Sequence, residues 1–229
     1  MDFSGKNVVI TGGTGALGGA VAAELLRAGA SCIVPYVHEA EAQHFVHRGD
    51  GKVKLIAVTD LADEVEVAKV YAGAKIWASI HIAGGFAPGK VADTGKAALM
   101  AQIDSNLVSC FLCCRAAVGA MSGGGRIVNV AARPALEWRS GAGMSAYTVA
   151  KAGVAALTVA LAEEVAKDGI LVNAVAPSIM DTPANRKAMP KAAFDAWPKV
   201  EEVAATIVFL ASVDNQVTRG AIVPVYGKS

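Results

Sequence analysis

The sequence predicts an α/β fold, one doubly wound and mostly parallel sheet of seven strands flanked by helices. Three observations carry this. Short β-rich runs alternate with longer Ala-rich amphipathic runs from end to end, the short runs are continuously apolar, and a glycine-rich turn joins the first of each kind. Continuous rather than alternating hydrophobicity means that both faces of a strand are covered, as in a parallel sheet with helices on either side. Strands are expected at Asn7 to Ile10, Ser31 to Tyr36, Lys54 to Val58, Ile76 to Ile82, Arg126 to Val130, Leu171 to Ala176 and Ala221 to Val225. Helices are expected at Leu17 to Ala28, Glu39 to His47, Glu64 to Ala72, Lys96 to Met121, Ser145 to Lys167 and Glu201 to Ala211. No boundary interrupts the rhythm, so residues 1–229 read as a single domain. Pro177 to Pro198 is the exception, with four prolines where the sixth strand should pass to the last helix. That stretch is too long for an ordinary connection and leaves the carboxyl end of a strand, so a substrate lid is expected over about residues 177–199.

The 229 residues are 54% hydrophobic, with 21 Lys and Arg against 20 Asp and Glu, which gives ample core and a formal charge of only +1. No basic run offers a footprint for a phosphate backbone, which argues against nucleic acid as a partner. The longest uncharged apolar stretches, such as Ala152 to Ala162 and Val203 to Val213, fall short of the roughly 18 to 20 residues that span a bilayer, so no membrane association is expected. No basic and then apolar leader precedes the first strand, and a cytoplasmic address follows by default. Cys32, Cys110, Cys113 and Cys114 read as small buried hydrophobes: Cys110 and Cys113 have C-x-x-C spacing but lie in an apolar helix-like run without a second ligand pair. His44 and His47 lack a third ligand and read as a solvated helix face. No metal is expected.

The first strand runs into Thr11-Gly12-Gly13-Thr14-Gly15-Ala16-Leu17-Gly18-Gly19 and then a helix. Glycines there permit positive φ and let backbone N–H groups approach a pyrophosphate, and the helix N-terminus adds positive charge. Strand before and helix after make this a dinucleotide-binding turn of Rossmann type. The second strand ends Val34-Pro35-Tyr36-Val37-His38-Glu39. It offers neither an acid at its tip for a ribose hydroxyl nor an Arg or Lys for a 2′-phosphate, so NADH and NADPH both stay open, with His38 leaning toward phosphate. In Ser145-Ala146-Tyr147-Thr148-Val149-Ala150-Lys151, Tyr147 and Lys151 stand four apart and share a helix face. A free tyrosine, with a pKa near ~10, is a poor proton donor at neutral pH; an adjacent ammonium lowers it and makes a general acid/base.

Together these pieces resemble the short-chain dehydrogenase/reductase family over essentially the whole chain. The matching residues are the turn Thr11 to Gly18, Asp60 after the third strand, Ala83-Gly84-Gly85 after the fourth, Asn106, Tyr147 with Lys151, and Pro177 with Thr182. The resemblance implies an NAD(P)H-dependent oxidoreductase that moves hydride to a small carbonyl or quinonoid substrate. By the same resemblance Tyr147 gives the proton, Lys151 lowers its pKa and holds the nicotinamide ribose, and Asn106 anchors a water behind Lys151. Thr11, Gly12, Thr14, Gly15, Ala16, Leu17, Gly18, Asp60, Leu61, Ala83, Gly84, Gly85, Pro177 and Thr182 join Tyr147 and Lys151 around the cofactor. The two long helices are apolar beyond a single buried stripe, and the resemblance implies a homodimer or homotetramer built on them.

The chain also departs from the family pattern. Gly12, Gly15 and Gly18 follow T-G-x-x-G-x-x-G with Ala16 in the customary second-glycine place, and His81-Ile82-Ala83-Gly84 stands for N-N-A-G. The fifth strand ends Asn129-Val130-Ala131-Ala132, where a substrate-orienting serine is usual. Ser140 and Ser145 are candidate replacements, although Ser145 reads better as a helix N-cap. The missing serine, the turn Ala83-Gly84-Gly85-Phe86, and Asp181 to Pro190 with Phe194 and Trp197 resemble quinonoid dihydropteridine reductases, which makes a pterin reductase the runner-up. Phe194 and Trp197 either wall the substrate or pin the lid, with Asn185 or Arg186 available to a polar ring edge. The lost serine also admits an idle nucleotide-binding sensor, but the intact Tyr147, Lys151 and Asn106 favour an enzyme.

Overall fold

In the computed structural model, which describes residues 1–229, every strand belongs to one sheet. The strands are β1 (Asn7–Thr11), β2 (Ser31–Tyr36), β3 (Val53–Ala57), β4 (Ala78–His81), β5 (Gly125–Val130), β6 (Ile170–Pro177) and β7 (Ile222–Val225). They pair wholly in parallel in the order β3-β2-β1-β4-β5-β6-β7. Pro224 lies in β7, at the sheet edge, where a missing ladder donor costs little.

Side chains alternate along each strand into two separate cores. Val8 and Ile10 of β1, Ile80 of β4 and Val128 of β5 pack with Val21 and Leu25 of α1 (Ala16–Arg27) and with Ile207 of a C-terminal helix at Val200–Ala211. Val9 and Ile127 face the other way. They meet α3 (Glu64–Tyr71), α5 (Ser109–Ala120) and α7 (Ser145–Glu164), which contribute Val67, Cys113 and Val154. Both faces of the central strands are therefore apolar, as their continuous hydrophobicity predicts, and each fully buried Val or Ile contributes about 1.5–3 kcal/mol. The Asp63 carboxylate caps α3 by accepting from the Val65 and Glu66 N–H groups.

Between these come α2 (Glu39–His44), α4 (Lys96–Ile103) and α6 (Arg133–Leu136), then α8 (Pro183–Ala188) and finally α9, the Val200–Ala211 helix. The helix expected from Lys96 to Met121 is α4 and α5 joined through a π turn at Asp104–Val108. Helix α2 stops at His44 because Phe45 turns extended and buries its ring. Ser145 is the first residue of α7 and not its N-cap; Met144 holds that position without a side-chain cap. The short α6 and α8 escaped the periodicity, since four and six residues are too few to show it. Lys96–Ala120 and Ser145–Glu164 are long and apolar enough to cross a membrane by length and composition, because a few charged residues interrupt each without lowering its mean hydropathy far. Each lays a buried stripe on the sheet, as core helices do.

Candidate active site

Strand order reverses between β1 and β4, and open α/β sheets bind ligands in the crevice outside such strand ends. Thr11 closes β1 there, its hydroxyl accepting from the Ala83 N–H at 3.2 Å. Gly12 follows at φ +67°, and a Cβ on it would meet the Ala83 nitrogen at 2.8 Å. A Cβ on Gly18 would strike the Gly12 carbonyl, so close packing of α1 on the loop fixes that glycine. Gly15 differs. Its Cβ would meet nothing closer than 3.4 Å, because it stands at the N-cap of α1 facing open space. With no side-chain cap, the first-turn N–H groups of α1 remain to receive an anion.

A cavity of about 460 Å³ opens before this loop. Gly12, Thr14, Gly15, Ala16, Leu17 and Gly18 line it from the loop and α1, Asp60 and Leu61 from beyond β3, and Ala83, Gly84 and Gly85 from beyond β4. A smaller one of about 200 Å³ shares Leu17, Gly84 and Gly85 and reaches Phe86, Asn106, Ala132, Tyr147, Lys151 and Pro177. One cleft thus gathers every residue expected around it except two. Thr11 sits behind the loop, and Thr182 caps α8, its hydroxyl accepting from the Asn185 N–H at 3.2 Å.

Tyr147 and Lys151 lie one turn apart at the start of α7. The Lys151 Nζ donates to the Val130 carbonyl at 2.8 Å and stands 6.0 Å from the Tyr147 ring centroid. Burial pushes Tyr147 up to about 12 and Lys151 down to about 8, the latter opposed by nearby Cys110. This corrects the expectation that the ammonium lowers the phenol. Loss of water alone moves the phenol, while Lys151 stands 6.0 Å from its ring centroid and donates to a carbonyl instead. Asn106 lies in the π turn, a feature frequent at functional sites. Its Nδ2 donates to the carbonyls of Gly85 at 2.9 Å and Gln102 at 3.0 Å. Its Oδ1 is buried without a partner, against the bare Cα of Gly84 and close to Lys151. An orphaned acceptor beside an ammonium is a place for a bridging donor.

Neither proposed serine replaces the hydroxyl missing at Ala132. Ser140 donates to the Glu137 carbonyl at 2.7 Å, and Ser145 is spent as the first helical residue. The one serine lining the smaller cavity, Ser178, donates to the Tyr226 carbonyl at 3.0 Å and accepts from Ser229 at 2.8 Å. The Phe86 and Tyr147 rings stand perpendicular, centroids 5.1 Å apart, and Phe86 is 58% exposed. The lid aromatics lie elsewhere. Phe194 and Trp197 pack on each other at 5.1 Å, Arg186 covers Phe194 at 4.8 Å, and the Arg186 guanidinium grips Asp181 at 2.6 and 2.7 Å. Asn185 donates to the Met180 carbonyl at 2.8 Å. These four side chains pin the segment; none reaches the tyrosine's cavity.

The far end of the larger cavity, lined by Tyr36 and His38, holds one acid that the sequence argument missed. It is Glu41, to which Thr14 donates at 3.0 Å. Neither Lys nor Arg lines it. The acid arrives from the first turn of α2 instead of the strand tip, where the sequence rule looks for it.

The family model described as short chain dehydrogenase matches residues 6–193. The chain belongs to that family. It is therefore an NAD(P)-dependent oxidoreductase on a Rossmann-type fold. Among relatives, cis-4-hydroxycyclohexanecarboxylate dehydrogenase of Sinomonas cyclohexanicum is 36% identical over 98% of this chain and 96% of its own. The dihydropteridine reductase of Dictyostelium discoideum is 28% identical over 98% and 96%. Among solved structures, a blue fluorescent protein from a metagenomic library in complex with NADPH superposes with a TM-score of 0.90 at 26% identity, covering 100% of this chain and 99% of that one. The family is thus plain from many sides, whereas the pterin likeness rests on a more distant relative.

Proposed function

We propose that this member of the family reduces a conjugated, electron-poor ring carbonyl or quinonoid compound, with Tyr147 as the proton donor and NADH as the preferred cofactor. The observation that carries this reading is the wall around Tyr147: Ala132 in place of a second hydroxyl, and the exposed face of Phe86 beside the phenol. An unactivated ketone builds up oxyanion charge that needs two donors, whereas an electron-poor ring accepts hydride readily and needs mainly positioning. Phe86 offers that positioning through its flat apolar face.

The cleft fits a dinucleotide. Gly12, Gly15, Gly18 and the α1 N-terminus would hold the pyrophosphate, Asp60 and Leu61 the adenine, and Tyr147 with Lys151 the nicotinamide ribose, with Gly84 leaving room beside Asn106. When bound, the cofactor supplies a hydride. Tyr147, pushed up to about 12 by burial, holds its proton through the neutral range, and transfer of that proton to the substrate oxygen or nitrogen depends on stabilising the phenolate left behind. Lys151, with a pKa of about 8, is mostly charged at pH 7 and stabilises the phenolate that forms. The Asn106 Oδ1 anchors the donor through which protons return to Lys151. At the adenosine end, Glu41 without a Lys or Arg favours a ribose diol over a 2′-phosphate.

Initial rates of nicotinamide oxidation across an acceptor panel test the reading. Quinones and quinonoid dihydropterin are expected to show a higher kcat/KM than aliphatic ketones or β-ketoacyl thioesters; the reverse order overturns it. Cofactor binding with no turnover on any acceptor would favour the idle sensor. Exposed Phe111 on α5 and Val149 and Val159 on α7 mark the surface through which a homodimer or homotetramer would form. Light scattering that finds a monomer at micromolar concentration would remove that part.

A further inference from the structure

Under the catalytic lysine lies a polar cluster that the proposed reaction does not use. His81 and Asn129 are register partners on β4 and β5, and with Ser79 they point to the face covered by α5. Cys110 and Cys114, one turn apart on α5, point back at them. A ring nitrogen of His81 and the two thiol sulfurs lie within 4.8 Å of one another, and all three residues are buried. Asn129 Oδ1 sits among them, 2.8 Å from His81 Nδ1, 3.4 Å from Cys110 Sγ and 3.5 Å from Cys114 Sγ; Cys114 Sγ is 3.4 Å from His81 Nδ1.

We propose that this cluster binds one thiophilic divalent ion of the zinc class, with His81 Nδ1, the Cys110 and Cys114 thiolates and Asn129 Oδ1 as its four ligands. The donor set of one imidazole, two thiolates and one oxygen suits tetrahedral zinc. Ligand atoms around such an ion stand roughly 3.5 Å apart, given bonds of about 2.0–2.3 Å. The Cys114–His81 separation of 3.4 Å and the two sulfur–oxygen separations of 3.4 and 3.5 Å already match, the remaining sulfur separations lie within 4.8 Å, and the His81–Asn129 pair has to open. Charge balances as well. Two thiols release two protons, the ion takes their two electron pairs, nothing is oxidised or reduced, and the buried site is neutral overall, which keeps its desolvation cost low.

Groups behind the ligands complete the case. His81 Nε2 meets Ser79 Oγ at 2.8 Å, and Ser79 meets the Tyr71 hydroxyl at 2.8 Å. Hydroxyls accept as readily as they donate, so the imidazole proton can move to Nε2 and free Nδ1 for the ion. Asn129 is oriented by donating to the Thr158 hydroxyl at 2.9 Å, which donates on to the Val154 carbonyl at 2.8 Å. His81 ends β4, two residues before Ala83 of the cofactor cleft, so an ion here would tie α5 to the strand that carries that wall. The C-x-x-C spacing pointed to the wrong partner: the pair is Cys110 with Cys114, and the third ligand lies on a strand far back in the chain.

The test is made on the whole protein, produced in zinc-supplemented medium, desalted and assayed for metal by mass spectrometry, with a parallel sample reconstituted with Co²⁺. One zinc per chain is expected, and the cobalt form should show thiolate-to-cobalt charge-transfer absorption with tetrahedral visible bands. Cys110→Ser and Cys114→Ser should lose both signals, while Cys32→Ser, on β2, and His44→Ala, on the exposed end of α2, should keep them. Zinc far below one equivalent in the wild-type protein overturns the proposal whether or not the cysteine variants fold. So does zinc retained in the folded cysteine variants, which places the ion elsewhere.

Discussion

Replacing Lys151 with methionine is expected to abolish turnover and yet stabilise the fold. Burial lowers the ammonium from 10.5 to about 8. At about 1.36 kcal/mol per unit, the difference 10.5 − 8 costs the folded protein about 3 kcal/mol at pH 7. Methionine fills a similar volume with an apolar chain, and what it loses is the hydrogen bond to the Val130 carbonyl, about 1 kcal/mol. The net gain is about 2 kcal/mol. Because the folded pKa lies below the unfolded one, the unfolded chain binds more protons between pH 8 and pH 10.5. Wild-type stability therefore rises with pH across that window, and the cost of the buried charge, full below pH 8, is gone above pH 10.5. Urea unfolding of both proteins at equal concentration, at pH 7 and near pH 10.5, measures the difference directly. Subtracting one protein from the other cancels the groups that Lys151 does not influence, leaving Lys151 and its neighbour Cys110. A variant less stable than wild type at pH 7, or a difference that does not shrink with pH, would refute the reasoning.

Gly15→Val should weaken nicotinamide cofactor binding while leaving thermal stability near wild type, because the added Cβ meets nothing closer than 3.4 Å; Gly18→Val should instead fail to fold. Fluorescence titration alongside a thermal melt separates the two. Tyr147→Phe should lower kcat on the order of 10²- to 10⁴-fold with cofactor affinity kept, measured by steady-state kinetics and titration. Glu41→Lys should shift the ratio of kcat/KM for NADPH over NADH upward, since it replaces the carboxylate beside Thr14 with a cation. Ala132→Ser should raise kcat/KM for plain ketones more than for quinonoids, and an equal gain for both would remove the link between the missing hydroxyl and substrate class.

Features legible in the sequence are those whose geometry follows from spacing along one element. Tyr147 and Lys151 share a face because four residues make one helical turn, and Gly12 to Gly18 line the cleft because a strand delivers them to a helix start. Strand and helix order followed from the same local rules, as did the two-sided burial of β1, β4 and β5. Direction is harder. Phe194 and Trp197 carry the aromatic character of a substrate wall, but they pack on each other away from the cleft, and Phe86 is the aromatic that stands beside Tyr147. Glu41 escaped for a related reason, since its acid reaches the far end of the cavity from a helix that begins after the strand tip.

What no spacing rule reveals is a site made by strand register. His81 and Asn129 are 48 residues apart, and only the parallel pairing of β4 with β5 sets them side by side. Cys110 then reaches both because the π turn before α5 sets the helix's rotation over the sheet. That same turn buries Asn106 beside Lys151. One local distortion of the helix thus orients two chemically distinct groups, the orphaned amide oxygen facing the cleft and the thiol pair facing the core. A sequence reading that treats Lys96 to Met121 as a regular helix places Asn106 correctly and assigns the cysteines to packing, because the added residue in the turn changes their facing and leaves their hydrophobic pattern untouched.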